Sequence, residues 1–284
     1  MITPFTAREE IDEDDLRETI RFLIKCGVHG IMCNGSTGEA ASLLKEERKK
    51  VVQVTVDEAK GKLPVIAGTG VSGTRETIRL TEDARDAGAD AAMIVTPFYL
   101  IPNPEGVYAH YKRITESIDF PIVLYNIPPH TKTNIDPELL GKLAKLKNIV
   151  GIKDSSGNLG QFAEFIKNAG DKIAVLNGCD DLLFPAFMLG APGAIVAVGN
   201  IAPELAVNIY NSYLKGEFQE CKKLNERLLP IARAISVERN FPAQVKEAIA
   251  ILGRPSGPPR KPIVPLTGEE KEEIRKALVA SELL

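Results

Sequence analysis

A lysine ends the apolar stretch Ile149-Val150-Gly151-Ile152-Lys153, where a buried strand would ordinarily place another aliphatic residue. A primary amine attacks a carbonyl group only in its neutral form, and a pocket wall of low dielectric constant lowers the pKa of an ammonium group. Other lysines, such as Lys45 beside Glu46, lie in charged helical runs where water keeps them protonated. Lys153 is therefore a candidate nucleophile. The alternative is a strand-end lysine whose ammonium group reaches solvent past Asp154.

A second apolar run, Pro121–Tyr125, ends on a tyrosine. A phenol can carry protons between a covalent intermediate and a substrate, so Tyr125 is a candidate acid/base residue. The alternative is a core tyrosine with a satisfied hydroxyl group. Since the strands of a barrel end at one mouth, we expect Tyr125 to point into the same mouth as Lys153. His130, in the turn that follows, is positioned to reach that mouth.

The segment Gly35-Ser36-Thr37-Gly38-Glu39 can aim backbone N–H groups and two hydroxyl groups at an anion, either a carboxylate or a phosphate. The alternative is an ordinary capping box that ends on Glu39. A cap does not need two flanking glycines, so we favour an anion site.

A second glycine-rich segment, Gly68-Thr69-Gly70-Val71-Ser72-Gly73, has the form of a dinucleotide-binding fingerprint, with Asp90 about 20 residues further on. We interpret it as a tight turn, because a barrel offers no switch-point crevice for a dinucleotide.

These candidates follow strands in a repeating pattern that extends to about residue 215. The predicted strands are Met1–Thr3, Val28–Cys33, Pro64–Ala67, Ala91–Val95, Pro121–Tyr125, Ile149–Lys153, Ile173–Leu176 and Ala194–Val198. The helices predicted between them include Asp14–Lys25, Lys45–Ala59, Thr74–Ala87 and Glu138–Leu146. Strands that alternate with helices predict an α/β protein with a parallel sheet, and their number predicts a (β/α)8 TIM barrel.

After the last predicted strand the pattern contains helices only. They are Glu204–Leu214, Phe218–Ala234, Ala243–Ile251 and Glu269–Ala280. We therefore predict a barrel over residues 1–216 that contains the active site, and a C-terminal α-helical extension over residues 217–284.

Composition limits the class of protein. The 284 residues carry a net charge of -3, are 44% hydrophobic and 26% charged, and so indicate a globular protein with a large core. A nucleic-acid partner would need a basic face, and a membrane helix would need roughly 18 uninterrupted apolar residues. The N-terminus has no secretory signal, so we expect a cytoplasmic protein that acts on a small molecule.

We expect no metal and no organic cofactor. The three histidines, His29, His110 and His130, lack metal-ligand spacing, and the four cysteines lack the close pairs of a zinc or redox site. We interpret the cysteines as small buried hydrophobic residues, of which Cys33 and Cys179 lie near strand ends.

Taken together, the motifs resemble those of the dihydrodipicolinate synthase and N-acetylneuraminate lyase family of class I pyruvate-dependent aldolases. The resemblance covers nearly the whole chain. It is carried by Thr3-Pro4-Phe5, Gly35-Ser36-Thr37-Gly38-Glu39, Thr96-Pro97-Phe98-Tyr99, Tyr125-Asn126-Ile127-Pro128 and Gly151-Ile152-Lys153-Asp154.

The resemblance implies that Lys153 forms a Schiff base with the keto carbon of pyruvate or another 2-oxo acid. It implies that Tyr125 is the acid/base residue, that Thr37 relays protons, and that Ser36 and Thr37 hold the pyruvate carboxylate. Main-chain groups near Gly178 and Ile195 would line the pocket. Tyr99 would complete the proton relay of a neighbouring subunit, which implies a homo-oligomer, usually a tetramer built as a dimer of dimers.

Three features depart from the family pattern. Dihydrodipicolinate synthases have an arginine in the turn after Tyr-Asn-x-Pro, and this chain has His130, which cannot form a bidentate fork with a carboxylate. Ser72 stands where the lysine-feedback site of relatives has an asparagine. Relatives also carry several more residues before Thr-Pro-Phe, so we expect either a misassigned or truncated start, or a short first strand.

His130 favours an aldolase that reversibly cleaves a 2-keto-3-deoxy sugar acid or a 4-hydroxy-2-oxo acid to pyruvate and an aldehyde. The alternative in the same class is 4-hydroxy-tetrahydrodipicolinate synthase, which joins pyruvate and aspartate semialdehyde. More remote alternatives are a non-catalytic barrel that binds a 2-oxo acid and a barrel that binds a phosphate or nucleotide. The turns Asn177-Gly178-Cys179 and Gly199-Asn200-Ile201 offer little for a phosphate group.

Overall fold

The computed structural model describes residues 1–235 and 240–284. Contacts divide the chain into two compact units. Unit 1 comprises Met1–Val65 and Val196–Leu284, and unit 2 comprises Ile66–Ile195. Within the described residues, no helix has both the length and the apolar character needed to cross a membrane.

Strands and helices alternate along most of the chain. The strands are β1 (Ile31–Cys33), β2 (Val65–Gly68), β3 (Ala91–Val95), β4 (Ile122–Asn126), β5 (Ile149–Asp154) and β6 (Ala174–Asn177). The helices are α1 (Glu13–Lys25), α2 (Lys45–Ala59), α3 (Thr74–Asp86), α4 (Pro104–Ser117), α5 (Pro128–Thr131), α6 (Pro137–Leu143), α7 (Leu159–Ala169), α8 (Leu183–Met188), α9 (Val198–Ile201), α10 (Pro203–Leu214), α11 (Phe218–Ala234), α12 (Phe241–Ile251) and α13 (Gly268–Ala280).

The strands pair in parallel and in sequence order from β2 to β6. The register places Val95 beside Tyr125, Tyr125 beside Lys153, and Lys153 beside Leu176. The carboxyl ends of β3, β4, β5 and β6 therefore lie at one edge of the sheet, where an α/β protein carries its functional side chains. In unit 1, β1 begins where the Ile31 amide donates to the Pro64 carbonyl group just before β2.

In unit 2, helices cover the sheet because each presents a buried apolar stripe. The strand residues Ile94, Leu124, Ile152 and Val175 are fully buried. Helices α3 and α4 pack together, as do α4 with α6 and α6 with α7, and Tyr111, Ile114, Leu140 and Phe165 fill their inner faces. Each such side chain contributes roughly 1.5–3 kcal/mol by leaving water.

In unit 1, α1 packs on α2, while α10, α11, α12 and α13 form a helical group with α9. Local chemistry fixes where these helices begin. The Asp12 side chain caps α1 by accepting from the Asp15 amide, and Thr267 with Glu270 forms a capping box at α13.

Most of the predicted elements are confirmed. The predicted bounds match the structure for the helices Lys45–Ala59 and Phe218–Ala234 and for the strand Ala91–Val95. The other predicted helices are shifted at one or both ends, mostly by one or two residues. Glu138–Leu146 is shorter, because α6 ends at Leu143 and a tight turn follows.

Two predicted strands form no ladder within the described residues. Ala194–Val198 contributes an isolated parallel bridge between Ala194 and Asn177, after which the chain turns into α9. Met1–Thr3 forms no ladder with a neighbour, since the Ile2 amide donates to the side chain of Asn200 instead. The described residues therefore contain six strands rather than eight, and the coarser prediction of a parallel α/β fold is confirmed.

Candidate active site

Lys153 and Tyr125 are neighbours across two strands. They are paired residues on β5 and β4, and the Lys153 amine nitrogen lies 4.3 Å from the centre of the Tyr125 ring. Side chains at paired positions of parallel strands point to the same face of the sheet. The Tyr125 side chain is buried, and Lys153 is partly exposed. The structure thus brings together an amine and a phenol, the two groups that were expected at one mouth.

The turn after β6 approaches Lys153 closely. A Cβ atom on Gly178 would overlap the Ser155 hydroxyl oxygen and lie 2.6 Å from Lys153 Cε. The Gly178 amide donates to the Asp154 carbonyl group at 2.8 Å, and the Ser155 hydroxyl group donates to the Gly178 carbonyl group at 3.1 Å. Only glycine fits here, because its backbone forms a wall beside the Lys153 side chain.

Ile195 lies near this wall through the backbone. Its amide donates to the Asn177 carbonyl group at 2.9 Å, next to Gly178 in the chain. The structure therefore places the main chain at Ile195 next to the main chain that leads into Gly178.

On the opposite face of the same strands, Asp154 and Asn126 form a buried polar pair. Asn126 donates to Asp154 Oδ1 at 2.8 Å, and Ser156 donates through its hydroxyl group to Asp154 Oδ2 at 2.7 Å. Burial raises the pKa of the Asp154 carboxyl group, and these hydrogen bonds oppose that rise.

Within this pair, Asn126 also holds the turn that follows β4. Asn126 Oδ1 accepts from the Ile135 amide at 2.9 Å, so both ends of residues 127–135 are tied to the strand end. The sequence motifs that contain Asn126 and Asp154 predicted no role for either residue. The sequence does contain a signal for them, because each polar residue directly follows a candidate site residue and therefore points to the other face of the sheet.

His130 lies in this turn, on the short helix α5, which ends at Lys132 in the left-handed conformation with φ 56°. Solvent reaches the imidazole ring, yet neighbouring atoms crowd it. This crowding, together with the Lys132 charge, lowers the pKa of His130. A neutral imidazole can offer a single hydrogen bond to a carboxylate oxygen, but not a bidentate fork.

Tyr99 lies outside the buried part of unit 2. Its side chain is 90% exposed, and its backbone has a φ of 71°, which is rare for a bulky residue. Leu100 and Ile101 beside it are 78% and 58% exposed.

Ser36 and Thr37 lie in unit 1, in a tight turn after β1. The amides of Gly38 and Glu39 donate to the carbonyl groups of Gly35 and Ser36, both at 3.1 Å. Within the described part of the chain, the hydroxyl groups of Ser36 and Thr37 have no hydrogen-bond partner. The turn therefore presents two hydroxyl groups that are available to a ligand.

Glu39 does not form the capping box considered from the sequence. Its backbone is left-handed with φ 54°, and its carboxylate makes long-range contacts in place of a cap.

The two cysteines near strand ends, Cys33 and Cys179, have raised thiol pKa values. Burial raises the pKa of the Cys33 thiol to about 11 and that of the Cys179 thiol to about 12. A thiol of such pKa stays protonated near neutral pH. Within residues 1–235 and 240–284, no three His, Cys, Asp or Glu side chains form a cluster that could hold a metal ion.

A sequence model of the dihydrodipicolinate synthetase family matches residues 1–281. The 4-hydroxy-tetrahydrodipicolinate synthase of Methanothrix thermoacetophila is 43% identical over 279 residues, which is 98% of this chain and 94% of that protein. The synthase of the same name from Syntrophobacter fumaroxidans is 41% identical over 285 residues, covering 100% of this chain and 97% of that one.

Solved structures have the same fold. The dihydrodipicolinate synthase of Thermotoga maritima has a TM-score of 0.96 at 34% identity, covering 100% of this chain and 97% of that one. A prophage protein of the same family from E. coli K12, in complex with pyruvate, has a TM-score of 0.96 at 33% identity, also covering 100% of this chain and 97% of that one.

Proposed function

Because this chain belongs to the dihydrodipicolinate synthetase family of pyruvate-dependent enzymes, we propose that it is a 4-hydroxy-tetrahydrodipicolinate synthase that condenses pyruvate with aspartate semialdehyde. The observation that carries the proposed chemistry is the pairing of Lys153 with Tyr125 across β5 and β4. The choice of aldehyde rests on the relatives, which cover nearly the whole chain and are named as synthases. They favour the synthase over the sugar-acid aldolase that His130 suggested.

In the proposed reaction, the neutral Lys153 amine adds to the keto carbon of pyruvate, and loss of water leaves an imine. The imine withdraws electrons, so a proton leaves the adjacent methyl carbon and an enamine forms. The enamine carbon then attacks the carbonyl carbon of the aldehyde, whose oxygen takes up a proton. This attack regenerates the imine on Lys153. The amino group of the aspartate semialdehyde portion then attacks the imine carbon, which closes the ring of the product and displaces the Lys153 amine.

Tyr125 is the proposed proton carrier, because its ring lies beside the Lys153 amine and its phenol can both donate and accept. The proposal assigns the pyruvate carboxylate to Ser36 and Thr37, with Thr37 also relaying protons. Main-chain groups at Gly178 and Ile195 form the wall beside the imine.

The proposal includes the finer architecture expected from the sequence. In this proposed architecture, a (β/α)8 barrel spans residues 1–216 and a helical extension spans residues 217–284. The parallel bridge between Asn177 and Ala194 supports one further strand after β6.

We also propose a cytoplasmic homo-oligomer, with Tyr99 serving the site of a neighbouring subunit. The exposure of Tyr99, Leu100 and Ile101 supports this, since three large apolar side chains in sequence are costly to leave in water.

His130 supports a second candidate, the aldolase that forms pyruvate and a sugar-derived aldehyde. A single imidazole donor suits a hydroxylated aldehyde better than it suits a carboxylate. Measuring kcat/KM for pyruvate with aspartate semialdehyde and with glyceraldehyde decides between the two. We expect aspartate semialdehyde to react about 100-fold faster or more. A preference for glyceraldehyde would overturn the synthase assignment.

The shared first step is tested by intact-protein mass after incubation with pyruvate and borohydride. We expect a reduced pyruvate adduct on the natural chain and none on the Lys153→Ala variant. Absence of the adduct from both would show that the enzyme does not use a Schiff base.

A further inference from the structure

Glu39 ends the turn that carries Ser36 and Thr37, and its side chain is 1% exposed. Its Oε1 lies 2.6 Å from the Lys246 amine nitrogen, so the two side chains form a buried ion pair. Its Oε2 accepts from the Arg260 amide at 2.8 Å. All of these residues belong to unit 1. One carboxylate therefore joins the turn to two points of the C-terminal region.

Lys246 lies on α12, with a side chain that is 2% exposed. Its amine nitrogen donates to the Pro258 carbonyl group at 2.9 Å and lies 4.3 Å from the centre of the Phe5 ring. Burial lowers the pKa of Lys246, whereas the Glu39 charge raises it. Each charge of the pair is thus held inside the protein by the other.

Arg260 extends the connection to both sides of the turn. Its guanidinium group contacts both carboxylate oxygens of Glu47, at 2.7 and 2.8 Å, and donates to the Ser42 carbonyl group at 2.9 Å. It also donates to the Glu9 carbonyl group and lies 4.2 Å from the centre of the Phe5 ring. The segment that follows the turn is therefore fixed to the same C-terminal region.

Two further contacts restrict the turn and its support. The Thr3 hydroxyl group donates to the Gly38 carbonyl group at 2.8 Å. Gly257 has φ 63°, and a Cβ atom there would overlap the Phe5 backbone. Substitution at Gly257 would therefore displace the segment that carries Arg260.

A buried ion pair is a poor way to gain stability, because removing two charges from water costs about as much as their attraction returns. An apolar pair of similar volume would fill the same space. A buried ion pair does fix the relative position of its two side chains, because separating the two charges in a low-dielectric interior costs several kcal/mol of stability. The location of this pair directly after Ser36 and Thr37 indicates that what it fixes is the turn.

We propose that Glu39 and Lys246 are positioning residues that hold the Ser36–Thr37 turn in the geometry that binds the pyruvate carboxylate. This inference rests on the proposed function, because it takes pyruvate as the ligand of that turn. Shifts of about 1 Å in a binding group cost up to about 100-fold in a reaction that depends on orientation. The C-terminal helices thus act on the first substrate through two charged side chains.

The test measures the pyruvate concentration that gives half-maximal borohydride trapping, and the trapping at saturating pyruvate. The variants are Glu39→Gln, which keeps the acceptor for the Arg260 amide but removes the charge, and Lys246→Met. We expect the half-maximal concentration to rise about tenfold or more in both, with saturated trapping within about twofold of the natural chain. A purely structural role would lower the folded fraction and leave the half-maximal concentration of the folded protein unchanged.

The matched control is Glu247→Gln, the next residue on α12, which removes the ion pair between Glu247 and Lys271 at 3.0 Å. We expect this variant to retain the natural half-maximal concentration. Hydrogen exchange of the peptide 34–43 gives a second measurement. It should be faster in Glu39→Gln than in Glu247→Gln.

If neither neutralising variant folds, Glu39→Asp takes their place, because its shorter carboxylate cannot reach both donors unless the turn moves. An unchanged half-maximal concentration in every folded Glu39 or Lys246 variant would overturn the inference. Failure of the natural chain to trap pyruvate would instead overturn the proposed function, so the two failures are distinguishable.

Discussion

Gly178 faces the stem of Lys153 so closely that a methyl group on its Cα would lie 2.6 Å from Lys153 Cε. Real carbon atoms that are not bonded stay well beyond that separation. The Lys153 side chain can therefore hold its present rotamer only while position 178 has no side chain.

The variant Gly178→Ala should slow pyruvate trapping by about 10- to 100-fold, because the amine is displaced from its place beside Tyr125. The free energy of unfolding should fall by about 1–3 kcal/mol from the overlap. Trapping rates and urea unfolding measure the two effects. Gly141→Ala is the control, since among the described residues no atom outside its own helix backbone and chain neighbours lies within 4 Å of the added Cβ, and it should trap pyruvate at the natural rate. Equal trapping by both variants would contradict the prediction.

The variant Tyr125→Phe should lower kcat by about 100- to 10,000-fold, because it removes the proposed proton carrier. Its melting temperature should change little, since within the described residues the Tyr125 hydroxyl group has no hydrogen-bond partner to leave unpaired. Tyr111→Phe is the matched control. It removes a buried hydrogen bond of 3.0 Å to the Ile94 carbonyl group and should cost about 1 kcal/mol of stability while kcat stays near its natural value. The same profile for both variants would count against a proton-transfer role for Tyr125.

The variant His130→Arg should raise kcat/KM for aspartate semialdehyde by about tenfold, because a guanidinium group can form two parallel hydrogen bonds with a carboxylate. Pyruvate trapping should not change, since the proposed role of His130, in the turn after β4, is to bind the aldehyde and not to form the imine. Steady-state kinetics with varied aldehyde concentration measure the effect. A matching gain with glyceraldehyde, which has no carboxylate, would show that position 130 does not recognise that group.

Acid should destabilise the protein through His110. Its ring is buried, with Nδ1 2.8 Å from the Thr74 hydroxyl oxygen, and burial lowers its pKa to about 4. The unfolded chain, with an ordinary histidine pKa of about 6.5, binds the proton more tightly. The contribution to stability is therefore complete above pH 6.5 and is lost as the pH falls toward 4.

Urea unfolding at pH 7 and pH 4.5 measures this loss. Between these two values the natural chain should lose about 2 kcal/mol more than His110→Gln, which keeps a polar partner for Thr74 but does not titrate. An equal loss in the two proteins would show that other groups cause the acid sensitivity.

The sequence alone predicted most of the strands because apolar runs mark buried parallel strands. Several predicted strands ended one residue early, since Asn126, Asp154 and Asn177 were interpreted as loop residues. In the structure these residues continue the ladder, and each polar side chain is satisfied by hydrogen bonds near the strand end. The proximity of Lys153 and Tyr125 was predicted, because both residues end strands whose carboxyl ends meet at one edge of the sheet.

The contacts of Glu39 were not predictable from one sequence. Its partners Lys246 and Arg260 lie more than 200 residues further along the chain. Beside Ser36 and Thr37, a glutamate has the spacing of a local cap, and only the folded backbone shows that it points elsewhere. The extent of the strand predicted at Ala194–Val198 was not predictable for a related reason, because a short run of small and β-branched residues is compatible with both a bridge and the start of a helix.

Alternation along β4 and β5 separates two tasks at adjacent positions. Lys153 and Tyr125, the proposed nucleophile and proton carrier, face one side, while Asn126 faces the other, where it contacts Asp154 and holds residues 127–135. New aldehyde partners could therefore evolve by exchange of residues 128–134 between the two anchored ends, without change to the nucleophile or its proton carrier. Residues 128–134 thus form a seven-residue segment that protein engineers can exchange to alter the choice of aldehyde.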